Sequence, residues 1–447
     1  MESEIEHISS TLFDQSKILN QIEKIKQASD EAQQRIDEHS AKDDQVLLSI
    51  HVIEQFLKKK HRICYGGQAI NAYLPKQYKF YDPDTSIPDY DFYTPSQTSD
   101  IVMLYNDLRK AGFTEIYVRE GMHEGTLKVY VNFIPVADLT AMDPDLYRIL
   151  SKRSSIIDGI SYLDANALRM LMYLELSRPA GEVSRWEKVF ERLLLFNEFA
   201  PIRSCKMRSL IKNKNRLTMD QLKFTVEYMI QHDRVFAGAD LLPFYQHSFK
   251  QNKASTWMIS QQNPILFFSP DSATDARQIL SELERSRTTS SPFEIKTYSH
   301  KGLDLIPSIQ VICQGKTPLV IVIEESACHS YYTVELKHRP LRIASIDTLI
   351  TLYFCLGFVK SSFFDLHSME CLANHLVQLS VRARSHSDEF LFPFITIDCS
   401  GHQETTASLI RSKVSRITQK KPIWKERLRK LQKKNTVKQS RPNASSD

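Results

Sequence analysis

No apolar run in this sequence approaches the roughly 20 residues a helix needs to cross a bilayer. Stretches such as Leu319–Ile323 and Leu193–Phe196 end within a turn or two. A membrane span is therefore not expected. The first 40 residues are rich in Glu, Gln and Lys and have no apolar signal core, so secretion is not expected either. The seven cysteines (Cys64, Cys205, Cys313, Cys328, Cys355, Cys371 and Cys399) are odd in number and never spaced as Cys-x-x-Cys. That spacing points away from a zinc site or a disulfide framework and toward reduced core thiols in a cytosolic compartment. The biased composition of disordered or collagen-like chains is also missing: 42% of residues are apolar, 10% aromatic and 25% charged. What is present is 447 residues, which at roughly 150 per domain gives about three domains.

The net charge of +5 is unevenly spread. From Arg411 to Asp447 there are 13 Lys and Arg against Glu426 and Asp447, a net of +11, which leaves −6 on residues 1–410. The basic character is a tail. Within it Lys420, Lys421, Trp424 and Arg427 combine cations with one aromatic, a composition suited to single-stranded RNA read without sequence preference. A localisation signal or a solubilising tail has the same composition.

Residues 10–40 contain no Gly or Pro and place Ile18, Ile22, Ile25, Ala32 and Ile36 at steps of three and four, which predicts an amphipathic helix. That face could join two chains, although packing onto its own body is the plainer expectation. A second helix follows Asp43 and Asp44, with Val46, Ile50, Ile53 and Leu57 on its apolar face. A small α/β domain comes next. It has a strand over Arg62–Tyr65, a Gly66-Gly67 turn, a helix over Gln68–Leu74 and a strand over Asp89–Tyr93. A further strand over Leu127–Phe133 alternates, with Val129, Val131 and Phe133 on one face. Helices dominate from Ala165 to about residue 250, and α/β patterning returns over 264–360. Ile160–Asp164 and Ile343–Asp347 each open a helix and are candidate corresponding points of two lobes.

Chemistry concentrates in the first α/β domain. Asp89 and Asp91, at i and i+2 on a strand, project from one face and can share divalent cations. Asp138, after a later strand, completes a three-carboxylate site for two metals roughly 3.5 to 4 Å apart, as in-line phosphoryl transfer requires. Gly66-Gly67 at a strand-to-helix junction lets backbone N–H groups approach a triphosphate. Asp82-Pro83-Asp84 and Asp143-Pro144-Asp145 repeat the Asp-x-Asp spacing but read as turns.

This order of elements resembles the polymerase-beta-type nucleotidyltransferase superfamily, with Gln68 in place of the Ser that often follows the turn. Four segments carry a closer resemblance: Tyr65–Ala72, Ile87–Tyr93, Val131–Asp138 and Ser184–Lys188. They are similar to the catalytic subunit of poly(A) polymerases from nucleocytoplasmic large DNA viruses of mimivirus, African swine fever virus and poxvirus type. The resemblance is strong over about residues 60–200 and faint over 260–360. It implies an α/β (α+β) nucleotidyltransferase fold with a helical segment and a second, degenerate nucleotidyltransferase-like lobe. It also implies that Lys188, with Arg169 behind it, meets the nucleotide. The bare residues equally allow helix-surface pairing there.

The expected organisation is N-terminal helices over 1–60, a catalytic domain over 61–150, a helical domain over 151–260, a C-terminal lobe over 261–405 and a basic tail over 406–447. The expected activity is template-independent transfer of AMP from ATP to an RNA 3′ end, with two Mg²⁺ or Mn²⁺ ions held by Asp89, Asp91 and Asp138. The rivals are a nucleotidyltransferase with another acceptor, such as an oligonucleotide synthetase, and a non-catalytic RNA-binding processivity subunit. Expected partners are ATP and RNA, with no membrane, and either a second copy of the chain, joined through the C-terminal lobe rather than through the N-terminal helix, or a separate subunit. The expected location is the host cytoplasm, with packaging in the virion as a further option.

Overall fold

The computed structural model describes residues 15–81, 88–200, 202, 205–206, 216–249, 259–288, 290–299, 308–336, 338–358 and 364–420. The described residues fall into two compact units. One draws on residues 1–119, 127–140 and 156–161, the other on 120–126, 141–155 and 162–447.

The first unit begins with α1 (Gln15–Ala41) and α2 (Asp44–Lys60). Asp43 caps α2 by accepting from the backbone N–H of Gln45 at 2.8 Å and of Val46 at 3.0 Å. The α2 face predicted from spacing is the one that is buried, with Phe56 added. The α1 face behaves otherwise: Ile22, Ile25 and Ile36 stay 59%, 72% and 58% exposed among the described residues, contrary to the plainer expectation that this face packs on its own body. Then come β1 (Ile63–Tyr65), α3 (Gly66–Tyr73), β2 (Tyr90–Thr94), α4 (Gln97–Lys110), β3 (Ile116–Glu120), β4 (Thr126–Val131) and β5 (Ile134–Ala141). Strand β4 ends sooner than its alternation suggested. Asn132 and Phe133 take left-handed φ values of 49° and 68° and turn the chain directly into β5, which leaves Phe133 67% exposed rather than beside Val129 and Val131.

After α5 (Pro144–Ser151), β6 (Ser155–Ile157) and β7 (Ile160–Tyr162) complete a seven-stranded sheet in the order β3-β4-β5-β2-β1-β7-β6. Asp143-Pro144-Asp145, read from sequence as a turn, is the start of α5: Asp143 accepts from Asp145 N and Leu146 N, and proline occupies the first turn, where its missing N–H costs nothing.

The second unit contains α6 (Ala165–Leu176), α7 (Trp186–Phe199), α8 (Met219–Gln231), β8 (Val235–Phe236), α9 (Leu241–His247), β9 (Ile265–Ser269), α10 (Ser272–Arg285), β10 (Phe293–Tyr298), β11 (Ile309–Gln314), β12 (Thr317–Glu324), β13 (His329–Leu336), β14 (Arg339–Ala344), α11 (Ile346–Leu356), α12 (Leu366–Ser385) and β15 (Cys399–Ser400). Its sheet runs β10-β11-β12-β9-β8-β14-β13-β15. Apart from the added edge strand β15, this is the first sheet's permutation with every strand number raised by seven. Helices repeat as well: α2 precedes β1 as α8 precedes β8, and α6 and α7 follow β7 as α11 and α12 follow β14. Ile160 in β7 and Ile343 in β14 therefore do occupy corresponding strands. The sheet includes Val235–Phe236, inside the stretch expected to be helical.

The cysteine expectation is overturned. Cys205 pairs with Cys371 and Cys328 with Cys399, with Cα atoms 5.8 and 5.5 Å apart; Cys64, Cys313 and Cys355 are free and buried. The partners lie 166 and 71 residues apart in sequence, so only the fold brings them within bonding range, and local spacing carries no trace of it. No described helix is long and apolar enough to cross a membrane.

Candidate active site

The site is built within the first unit. Antiparallel pairing of β1 with β2 sets Tyr65 opposite Asp91. Along β2, Tyr90, Phe92 and Thr94 are buried on one face, which turns Asp91 and Tyr93 to the other. Tyr93 stacks on Tyr65 at 4.0 Å between ring centroids, and the Tyr65 hydroxyl shares a 2.8 Å hydrogen bond with Thr140 Oγ1. Gly66 leaves β1 with φ +72° and starts α3. A Cβ at Gly66 would overlap Asp91 Oδ2 and lie 3.2 Å from Asp91 Cγ, so only glycine lets the turn approach the carboxylate. Tyr65, at the N-cap of α3, makes no side-chain capping bond, and the first turn of the helix contains no acidic residue. Gln68, also in that turn, has its Oε1 buried without a hydrogen-bond partner.

Asp89 immediately precedes β2. Its carboxyl is held above the usual carboxylate range, first by desolvation and then by the negative charge of Asp138, with Lys128 opposing both. Asp138 lies on β5 and is 7% exposed. Its Oδ2 receives the Lys128 ammonium at 2.5 Å, whereas its Oδ1 is buried with no hydrogen-bond partner among the described residues. A buried carboxylate oxygen left bare is costly unless something positive completes it. The side chains of Asp89, Asp91 and Asp138 offer carboxylate oxygens, the donor type that suits hard divalent cations such as Mg²⁺ and Mn²⁺. The donor chemistry fits the metals expected from the sequence, while the three carboxylates do not all converge within 4.8 Å of one another.

Asp89, Asp91, Asp138 and Gly66 thus share one unit, with Gly67 in the first turn of α3. Other expected site residues lie in the second unit. Lys188 is exposed in the first turn of α7. Arg169, expected to meet the nucleotide, is instead fully enclosed: it is 0% exposed, donates to Asn197 Oδ1 at 2.9 Å and Asn166 Oδ1 at 3.2 Å, and lies over the Phe196 ring. Such a guanidinium fastens α6 to α7. Lys420, expected on RNA, is ion-paired with Glu120, and Arg416 of the same helix, over 406–420, donates to the Met122 carbonyl at 3.1 Å. Lys421, Trp424 and Arg427 lie outside the described residues.

Sequence reasoning missed Lys128. The alternation of β4 held a signal, since Val129 and Val131 facing the core turn residue 128 to the opposite side, but its partner Asp138 comes from the next strand.

Residues 51–182 match the family described as the poly(A) polymerase catalytic subunit. A protein of Acanthamoeba polyphaga mimivirus whose name proposes a poly(A) polymerase catalytic subunit is 32% identical over 209 residues, which cover 44% of this chain and 35% of that one. A similarly named protein of African swine fever virus (strain Badajoz 1971 Vero-adapted) is 28% identical over 171 residues, 37% of this chain and 36% of its own. The matched stretch thus spans about a third of the length of these relatives. In fold, the crystal structure of the Megavirus polyadenylate synthase superposes with a TM-score of 0.68 over 92% of this chain and 83% of that one, at 20% identity. The fold is of the nucleotidyltransferase type, and the segment bearing the three aspartates is similar in sequence to catalytic subunits of viral poly(A) polymerases, as its motifs implied.

Proposed function

We propose that the protein is a template-independent polynucleotide adenylyltransferase: the 3′-hydroxyl of RNA attacks the α-phosphorus of ATP, the bond to the β-phosphate oxygen breaks and pyrophosphate leaves. The observation that carries this reading is the bare, buried Oδ1 of Asp138, in one unit with Asp89, Asp91 and the Gly66 turn. Two divalent cations on Asp89, Asp91 and Asp138 would activate the hydroxyl and neutralise the leaving pyrophosphate. The chain's own groups do the positioning. The N–H groups opening α3, to which the N-cap side chain of Tyr65 does not bond, would offer donors to phosphate oxygens. Gly66 lets that turn lie against Asp91, and the Tyr65–Tyr93 stack, pinned by Thr140, fixes the strand pair beneath. Lys188 is the candidate triphosphate contact, with Arg169 supporting its helix from within. The viral relatives support action in a host cytoplasm, and the exposure of Ile22 and Ile25 on α1 among the described residues supports assembly with a second copy or a separate subunit.

The test is incubation of the purified chain with a labelled RNA primer, Mg²⁺ or Mn²⁺, and each nucleoside triphosphate separately. ATP should give a ladder of extended products, and Asp89→Asn, Asp91→Asn and Asp138→Asn should each abolish it while far-UV circular dichroism is unchanged. Extension by the triple variant would reject the site.

A further inference from the structure

Lys128 and Asp138 lie on adjacent strands joined by the two-residue turn Asn132-Phe133, so their separation is set by the hairpin rather than by flexible segments. The Lys128 side chain is 34% exposed and that of Asp138 10%, so the pair sits at the edge of the protein interior with the lysine on the open side. One oxygen of the carboxylate is taken by the ammonium and the other has no partner. Lys128 also acts electrostatically on Asp89, so a single cation of the chain serves two of the three carboxylates.

An ammonium in this position does two opposing things. It supplies the positive charge that allows carboxylates to cluster in a folded chain, and it repels any divalent cation that approaches Asp138 Oδ1. The balance shifts when a triphosphate arrives, because its negative oxygens offer the ammonium a new partner and attract the same cations. An ammonium on a four-carbon stem can follow such a partner, being a compact charge on a mobile chain.

We propose that Lys128 is a built-in counter-ion of the carboxylate site, holding Asp138 while the site is empty and opposing divalent cations until the nucleotide's phosphates draw the ammonium away. Lys128 is thus a positioning residue that ties cation loading to nucleotide binding. The proposal rests on the reading of Asp89, Asp91 and Asp138 as cation ligands, and the two can fail separately.

The experiment is Mn²⁺ titration of the full chain, with free Mn²⁺ read by electron paramagnetic resonance, in the absence and presence of a non-hydrolysable ATP analogue. Lys128→Met and Lys128→Gln should bind Mn²⁺ about tenfold more tightly than wild type without nucleotide. The difference should shrink when the analogue is present. Both variants should melt lower than wild type without metal and gain more in Tm on Mn²⁺ addition, and Lys128→Arg should behave as wild type. Two neutral substitutions are used so that poor folding of one does not decide the outcome. Unchanged or weaker Mn²⁺ binding in folded Lys128→Met or Lys128→Gln, with Asp138→Asn still weakening it, would overturn the counter-ion role and leave the carboxylate site standing. Wild-type Mn²⁺ binding in Asp138→Asn would overturn the site itself, and the role of Lys128 with it.

Discussion

Gly66 has no tolerance for a side chain on two independent grounds, its φ of +72° and the place of Asp91 Oδ2 where a Cβ would go. Gly66→Ala should therefore lower stability by about 1–3 kcal/mol, measured by urea unfolding, because a non-glycine residue is forced into the left-handed region. Primer extension should fall with it, since Asp91 has to move. A variant as stable and active as wild type would mean that the turn and the carboxylate are not in contact. Asp89 gives a pH signature. Its folded carboxyl is raised through desolvation and Asp138, so the folded state holds that proton more tightly than the unfolded chain does. The associated stability is present at low pH and is lost as pH rises through the raised range. Metal-free protein should therefore show a drop in Tm across that window which Asp89→Asn removes, and cation binding should strengthen across the same window, because the ligand must first lose its proton. At this scale the sequence was informative where chemistry is local. Paired carboxylates on a strand and a Gly-Gly turn announce themselves, whereas Lys128 and the buried Arg169 get their roles from partners that only the fold supplies.

Among the elements, helix starts were the most legible, because capping is written within a few residues. Asp43 does what its position suggested, and Asp43→Ala should cost about 1 kcal/mol in chemical unfolding, since the Gln45 and Val46 N–H groups lose their acceptor. No loss would mean that α2 is held by its apolar face alone. Edges were less legible. The alternation through Phe133 overran β4 because side-chain periodicity does not register a backbone that turns at Asn132. Strands such as β8, two residues long, are too short to carry a pattern at all. The apolar stripe of α1 was correctly seen, but its partner was not, since spacing tells which side of a helix is apolar and not what lies against it. The helix over 406–420 adds a contact that composition concealed: two of the tail's cations, Arg416 and Lys420, are spent on the turn at Glu120 and Met122. Removing residues from Lys421 onward leaves those two in place and takes away nine Lys and Arg against two acidic residues. If the remainder of the tail tracks RNA, primer affinity should fall and its salt dependence flatten in a binding titration; an identical salt slope would assign the tail no part in RNA binding.

For the whole molecule, both disulfides fall in the second unit and the three aspartates in the first. Thiol titration in denaturant should find three reactive cysteines without reductant and seven with it, matching the free Cys64, Cys313 and Cys355; seven in both would dismiss the crosslinks. The two sheets share one strand permutation yet differ in what their corresponding strands hold. Tyr65 ends β1 opposite Asp91, and Phe236 ends β8 opposite Phe267, so the second copy has an apolar ring where the first has a carboxylate. Every residue of β9 is buried. Putting an Asp-x-Asp into that strand would place charges in a closed interior, at a cost of several kcal/mol, comparable to the whole stability margin of a domain. Packing, as well as the identity of two residues, therefore closes the second sheet to carboxylate chemistry: a site there would need the neighbours of β9 to be cut back before charges could enter.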